Sequence, residues 1–206
     1  MAGLASQPPL ILLCGPSGCG KSTLAQLAAA AAEPDLGSVT VISQDNYFTQ
    51  TFLAYEERTS DAFESPEHVD WLRLRADAAA AQAAGCAVIL EGHVVATNAD
   101  LAAAASLAVV FEGCEALCRE RRVGRRPRTA EEGEVLTRYI QEFVWPSFLL
   151  YGKPAQEQLV TKLGPDRVML VRGNDRRSGV ELAGELLAMC RAASARPESE
   201  RIVATD

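Results

Sequence analysis

Short, uninterrupted apolar runs alternate along this chain with longer stretches whose apolar positions recur at helical spacing. Five runs, at 10–14, 39–43, 87–90, 107–111 and 167–171, read as strands. They are apolar throughout instead of alternating, which is the pattern of strands covered by helices on both faces. Helical stretches fall between and after them at 21–32, 66–84, 114–123, 130–150 and 179–193. This order predicts an α/β fold on a five-stranded, mostly parallel sheet flanked by helices. Pro146 is expected to kink or break the helix that contains it, since it lacks an N–H and crowds the preceding turn. The alanine-rich stretches 76–84 and 99–105 read as helix formers, not as disordered sequence. From 194 onward the chain turns polar, so one domain over 1–193 with a mobile tail at 194–206 is expected.

Composition narrows the class. With 48% hydrophobic and 23% charged residues, the chain is neither collagen-like, coiled-coil nor disordered throughout. A net charge of -7 argues against a general nucleic-acid or anionic-membrane binder, because the long-range field repels phosphate polymers. Any phosphate chemistry must then be local. No apolar run reaches the roughly 20 residues of a membrane span, and Met1 to Pro9 lacks the positive start of a signal peptide, so a cytoplasmic protein is expected. The six cysteines form no CxxC pair and read as reduced, structural thiols.

The strongest chemical signal follows the first strand: Gly15-Pro16-Ser17-Gly18-Cys19-Gly20-Lys21-Ser22, continuing into Thr23. This is GxxxxGK[ST], a P-loop between strand and helix. Glycines let successive backbone N–H groups turn toward phosphate, and the helix N-terminus adds a favourable dipole. Lys21 is placed to neutralise the outer phosphates of ATP, and the Ser22 hydroxyl to ligate Mg²⁺. Asp45 follows the second strand, at the carboxyl end where open α/β sheets bind ligands, and can accept the proton of an attacking hydroxyl or face the metal. Glu91 ends the third strand and is suited to Mg²⁺. Arg119, Arg121, Arg122, Arg125, Arg126 and Arg128 crowd into ten residues of an acidic protein. Beside a P-loop they read as a lid over 119–130 that brings guanidinium groups onto a phosphoryl group in transfer.

With Ile42-Ser43-Gln44-Asp45-Asn46-Tyr47-Phe48, Ile89-Leu90-Glu91-Gly92, Cys118 to Arg125 and Val144-Trp145-Pro146 followed by Tyr151, the chain resembles the uridine kinase and nicotinamide riboside kinase group of P-loop kinases. It is more similar to the nicotinamide riboside kinases, over about 10–174. The resemblance implies ATP-dependent phosphorylation of a ribonucleoside 5′-hydroxyl with Mg²⁺. Asp45 would be the base, Ser22, Asp45 and Glu91 would surround the metal, and Lys21, Arg121 and Arg125 would act on the phosphates. Arg126 joins the ATP side, with Arg172, Gly173 and Asn174 beside adenine. Asn46, Tyr47 and Phe48, which follow Asp45, would bind the substrate with it, and Arg122 would lie near the substrate. Phe63 would stack on the nucleobase and Glu64 would grip the ribose hydroxyls. The family has Asp where this chain has Glu64, and a second stacking aromatic where it has Arg126 and Pro127.

Uridine kinases of this group insert a base-reading hairpin before the strand that ends in Glu-Gly. Here only Gly85-Cys86 separates the helix from that strand, which favours nicotinamide riboside. Uridine or cytidine, another small alcohol such as a sugar acid, and a nucleotide-binding regulator without catalysis remain the alternatives.

Overall fold

The computed structural model describes residues 7–32, 37–51 and 53–195. Its strands are β1 (Leu10–Cys14), β2 (Val39–Ser43), β3 (Ala87–Gly92), β4 (Leu107–Glu112) and β5 (Val168–Arg172). They form one sheet in the order β2-β3-β1-β4-β5, with every pair parallel. The helices are α1 (Lys21–Ala31), α2 (Trp71–Ala83), α3 (Ala99–Ala104), α4 (Glu115–Val123), α5 (Ala130–Tyr139), α6 (Trp145–Ser147), α7 (Lys153–Leu163) and α8 (Gly179–Ala195).

Strand β1 is central and fully buried, and its side chains sort by the two-residue period of a pleated strand. Leu10, Leu12 and Cys14 enter one core with Leu74, Leu101 and Leu159, under α2, α3 and α7. Ile11 and Leu13 enter the other with Leu24, Ala28, Leu182 and Leu186, under α1 and α8. The order of the sheet reverses at β1, which lies between β3 and β4. The segment leaving β1 therefore opens into the crevice where open α/β sheets hold ligands.

Three expectations need correction. The helix drawn over 66–84 begins only at Trp71, where the Asp70 side chain accepts from the Arg73 N–H at 3.0 Å as its N-cap. Pro66–His68 is a separate 3₁₀ turn, and Val69 is extended to bridge Phe48. Pro146 neither breaks nor ends its helix. Helical backbone runs from α5 through α7, with π-helical turns at Ile140–Val144 and Phe148–Gly152 on either side of α6. A π turn spaces its hydrogen bonds one residue wider, so the N–H that Pro146 lacks falls where the ladder is already interrupted. The third correction is that α8 continues to Ala195, so the expected tail is helical at its first two positions; its remainder, 196–206, lies outside the described residues.

Among the described residues no helix is long and apolar enough to cross a membrane.

Two glycines lock the loops at the head of the sheet. Gly18 has φ +92°, and a Cβ there would sit 2.3 Å from the Cys118 carbonyl oxygen on α4. At Gly92 a Cβ would meet Gln44 Oε1 at 2.3 Å, and Gln44 is completely buried with that oxygen accepting from the Val94 N–H. Gln44 has nowhere to retreat. Gly92→Ala is expected to lower unfolding free energy by about 1–3 kcal/mol, as overpacking does, read as a shifted denaturant midpoint at unchanged slope.

Candidate active site

The P-loop joins β1 to α1. Lys21 is 7% exposed, and its ammonium donates to the carbonyls of Gly15 at 2.8 Å and Pro16 at 3.0 Å, with Cys19 Sγ 3.8 Å away. The positive charge is thus held inside the ring of the loop. Parallel register sets the next element, because Leu13 of β1 and Ser43 of β2 both lie opposite Glu91. The Glu91 side chain is buried, and its Oε1 accepts from the hydroxyls of Ser43 at 2.7 Å and Ser22 at 3.1 Å.

A hydroxyl and a carboxylate at the first turn of α1 are hard oxygen donors that suit Mg²⁺, which takes one or two side chains and fills its octahedron with water and phosphate oxygens. Among the described residues no group of three or more His, Cys, Asp or Glu is placed to hold a metal. Burial raises the thiols of Cys14, to about 12, and of Cys118, to about 11, and also raises Cys19, so these cysteines stay protonated and inert.

Two cavities flank this loop. The first, of about 420 Å³, is lined by Gly18, Cys19, Gly20 and Thr23, by Arg121 and Arg125, and by Arg172 and Gly173. Phe111, Leu117, Val171 and Leu182 supply an apolar wall. Arg126 and Asn174, expected on this side, are exposed and do not line it. Asp175 and Arg177 do, although no motif in the sequence marks them. Arg177 donates to Asp175 Oδ1 at 2.9 Å and to the Leu170 carbonyl at 3.0 Å, and also pairs with Glu185. Its guanidinium holds the Asp175 carboxyl well below the usual carboxylate range, which pins the loop after β5.

The second cavity, of about 290 Å³, is lined by Ser17, Asp45, Phe48, Gln50, Tyr55, Arg58, Phe63, Glu64, His93 and Arg122. It unites five residues that the sequence placed together: Asp45, Phe48, Phe63, Glu64 and Arg122. Asp45 is exposed at its rim, on the 3₁₀ turn Gln44–Tyr47 that follows β2.

Neither Asn46 nor Tyr47, both expected to contact substrate, lines this cavity. The Tyr47 hydroxyl donates to Asp77 Oδ2 at 2.7 Å on α2, and burial with that bond pushes the phenol up to about 12. Asn46 offers its carbonyl to Arg73 at 2.6 Å.

Glu64 is buried on the cavity wall, where Oε1 accepts from the Tyr139 hydroxyl at 3.0 Å and Oε2 lies 3.3 Å from His93 Nε2. Tyr55 lines the cavity, and its ring lies 5.3 Å from that of Tyr139 behind it. Arg58, which the sequence did not flag, is set among these rings.

The arginines of 119–128 divide by helix geometry. Arg119 pairs with Glu115 one turn earlier at 2.7 Å, and Arg128 folds back onto the carbonyls of Arg122 and Val123, so both hold the segment together. Arg121, in the last turn of α4, and Arg125, just beyond its C-cap Gly124, line the larger cavity, whereas Arg122 lines the smaller one. The same segment thus carries guanidinium groups to both sides of the P-loop.

The model of the AAA domain family matches residues 10–144. The chain belongs to that family. In this AAA domain the matched span takes in the P-loop, Asp45, Glu91 and α4, and stops before β5 and the Asp175–Arg177 loop. No curated protein matches the sequence.

Among solved structures, a protein of Silicibacter sp. TM1040, provisionally described as a fructose transport system kinase, is similar at TM-score 0.55 and 18% identity, covering 76% of this chain and 88% of that one. Shikimate kinase from Acinetobacter baumannii, in complex with shikimate, is similar at TM-score 0.50 and 16% identity, covering 92% and 96%. At such identities the likeness is one of fold.

Tyr139→Phe removes a donor from a buried carboxylate oxygen and is expected to cost about 1–3 kcal/mol of stability, measured by chemical denaturation. An unchanged midpoint would mean that Glu64 is not held as described.

Proposed function

We propose that this AAA domain is an ATP-dependent kinase that moves the γ-phosphoryl group of ATP onto the hydroxyl of a small alcohol, with a ribonucleoside 5′-hydroxyl as acceptor and nicotinamide riboside as the first candidate. The observation that carries the reading is that the P-loop is a wall common to both cavities. Ser17 faces the one with Asp45, and Gly18 to Gly20 face the one with Arg121 and Arg125. A triphosphate along the loop would present its outer phosphorus toward an acceptor beside Asp45.

In this mechanism the larger cavity takes the nucleotide, its apolar wall against the base and the loop amides on the phosphates. Lys21 exchanges loop carbonyls for phosphate oxygens. Ser22 and Glu91, with Asp45, would hold Mg²⁺, which would supply neutralisation of the phosphate charge. Asp45 accepts the proton of the attacking hydroxyl, and Arg121 and Arg125 stabilise the charge spreading over the transferring group. Most of the acceleration comes from positioning, since phosphoryl transfer asks little covalent help of the protein.

Two further points support the reading. The similar structures are described as kinases of small molecules. Helix α2 ends at Ala83 and β3 starts at Ala87, which leaves no length for the hairpin of uridine kinases.

ADP release measured over a panel of ribosides and sugar acids tests the function, and no acceptor-dependent release with any of them would overturn it. Asp45→Asn is expected to lower kcat by about 10²- to 10⁴-fold while ATP affinity changes little; undiminished turnover removes Asp45 from its role. Lys21→Ala should weaken ATP binding at least about tenfold by calorimetry, the worth of a charge-assisted hydrogen bond.

A further inference from the structure

The kinase reading leaves one feature of the smaller cavity unused, a pair of guanidinium groups gathered around a single ring. The Arg58 carbon lies 4.7 Å from the centroid of Tyr55 and the Arg122 carbon 6.0 Å from the same centroid. Arg58 is held rigidly. It lies over Phe63 at 4.1 Å and Tyr139 at 5.2 Å, and donates to the Leu53 carbonyl at 3.0 Å and the Tyr139 hydroxyl at 3.4 Å. Three ring faces stabilise a cation and fix its plane. Arg122 reaches the cavity from α4, and its Nη1 is shut off from solvent with no hydrogen-bond partner.

A desolvated guanidinium donor without an acceptor is costly, and two like charges facing one small space add repulsion. The Glu64 carboxylate and the Tyr55 hydroxyl offset part of this cost for Arg122, but neither accepts from its Nη1, and Asp45 serves the hydroxyl and metal side.

We propose that Arg58 and Arg122 form an oxyanion subsite, and that the alcohol phosphorylated in this cavity carries a carboxylate. The inference rests on the kinase reading of the same cavity and names the class of its acceptor. A planar carboxylate matches the guanidinium fork in charge and geometry, supplies the acceptor that Arg122 Nη1 lacks, and separates the two positive charges. A carboxamide of the same shape offers one neutral oxygen and two donors, which face donors here. A cationic group without a carboxylate meets like charge, so within the kinase reading this subsite displaces nicotinamide riboside, a cationic carboxamide, as first candidate in favour of an acceptor that carries a carboxylate. Arg58 is on this view a specificity-determining residue. The other source of an oxyanion at this place is the phosphoryl group in transfer, and the two differ in what Arg58 should affect.

The test uses the full chain with a riboside and a polyol, each offered as carboxylate and as carboxamide. The carboxylate is expected to have a kcat/KM at least about tenfold higher in both pairs. Arg58→Gln should erase that preference by raising KM for the carboxylates at least about tenfold more than for the carboxamides. Arg58→Lys, which keeps the charge among the rings, should retain part of the preference and shows that loss in Arg58→Gln is not a folding defect. Equal kcat/KM within the pairs, or a preference that survives Arg58→Gln, overturns the inference. So does an equal fall in kcat for both members, which would assign the pair to the phosphoryl group.

Calorimetric binding of the same compounds to protein loaded with Mg²⁺ and a non-hydrolysable ATP analogue separates the two claims. Preferential binding of carboxylates with no turnover overturns the kinase reading alone. Equal binding with normal turnover overturns the subsite alone.

Discussion

Two hydroxyl groups donating to one buried carboxylate hold the head of this sheet together. Glu91 takes Ser22 from the first turn of α1 and Ser43 from the end of β2, so three segments far apart in the chain share one oxygen. A carboxylate that close to fully buried survives only when hydrogen-bonded, and it also draws the positive loop and any divalent cation toward itself. If Glu91 were displaced, the end of β2 would lose its tie to the P-loop. The 3₁₀ turn that carries Asp45 follows β2 directly.

The same economy of contacts governs the glycines. Gln44 lies in the space that a side chain at Gly92 would need, and the Cys118 carbonyl lies against Gly18. Backbone approach this close is rigid, because packed interiors do not yield by tenths of an ångström without cost. The P-loop is therefore braced from both sides, by β3 through Glu91 and by α4 through Cys118. That bracing keeps the two cavities on fixed sides of the loop, and the division of Arg121 and Arg122 between them follows from the turn of α4.

Cation–ring contacts do comparable work where the chain has no regular structure. The segment from Leu53 to Phe63 has a single 3₁₀ turn, Tyr55–Glu57, to support it. Arg58 ties that segment to Tyr139 on α5 through ring faces and hydrogen bonds. His93 and Tyr139 together fix Glu64, which makes one side of the cavity a continuous polar network, and such networks specify geometry when every member is satisfied. The exception is Arg122, whose unsatisfied nitrogen faces the same space.

The sequence by itself determined the sheet, all five strands to within two residues, the loop that follows β1, and the presence of Asp45, Glu91 and the arginine cluster near it. These are local facts: apolar runs, glycine spacing and charge density are written in consecutive residues. It did not determine that Pro146 would be absorbed by π turns, that α2 would wait for the Asp70 cap, or that Tyr47 would turn to Asp77. Each depends on which donor or acceptor lies nearby after folding. Arg58 carries no local mark at all, and its place among Tyr55, Phe63 and Tyr139 exists only because α5 packs against the segment after β2. Side chains brought together across 75 or more residues, such as Glu64 with Tyr139, were decided by tertiary structure alone, since a buried polar group takes whatever partner the fold supplies.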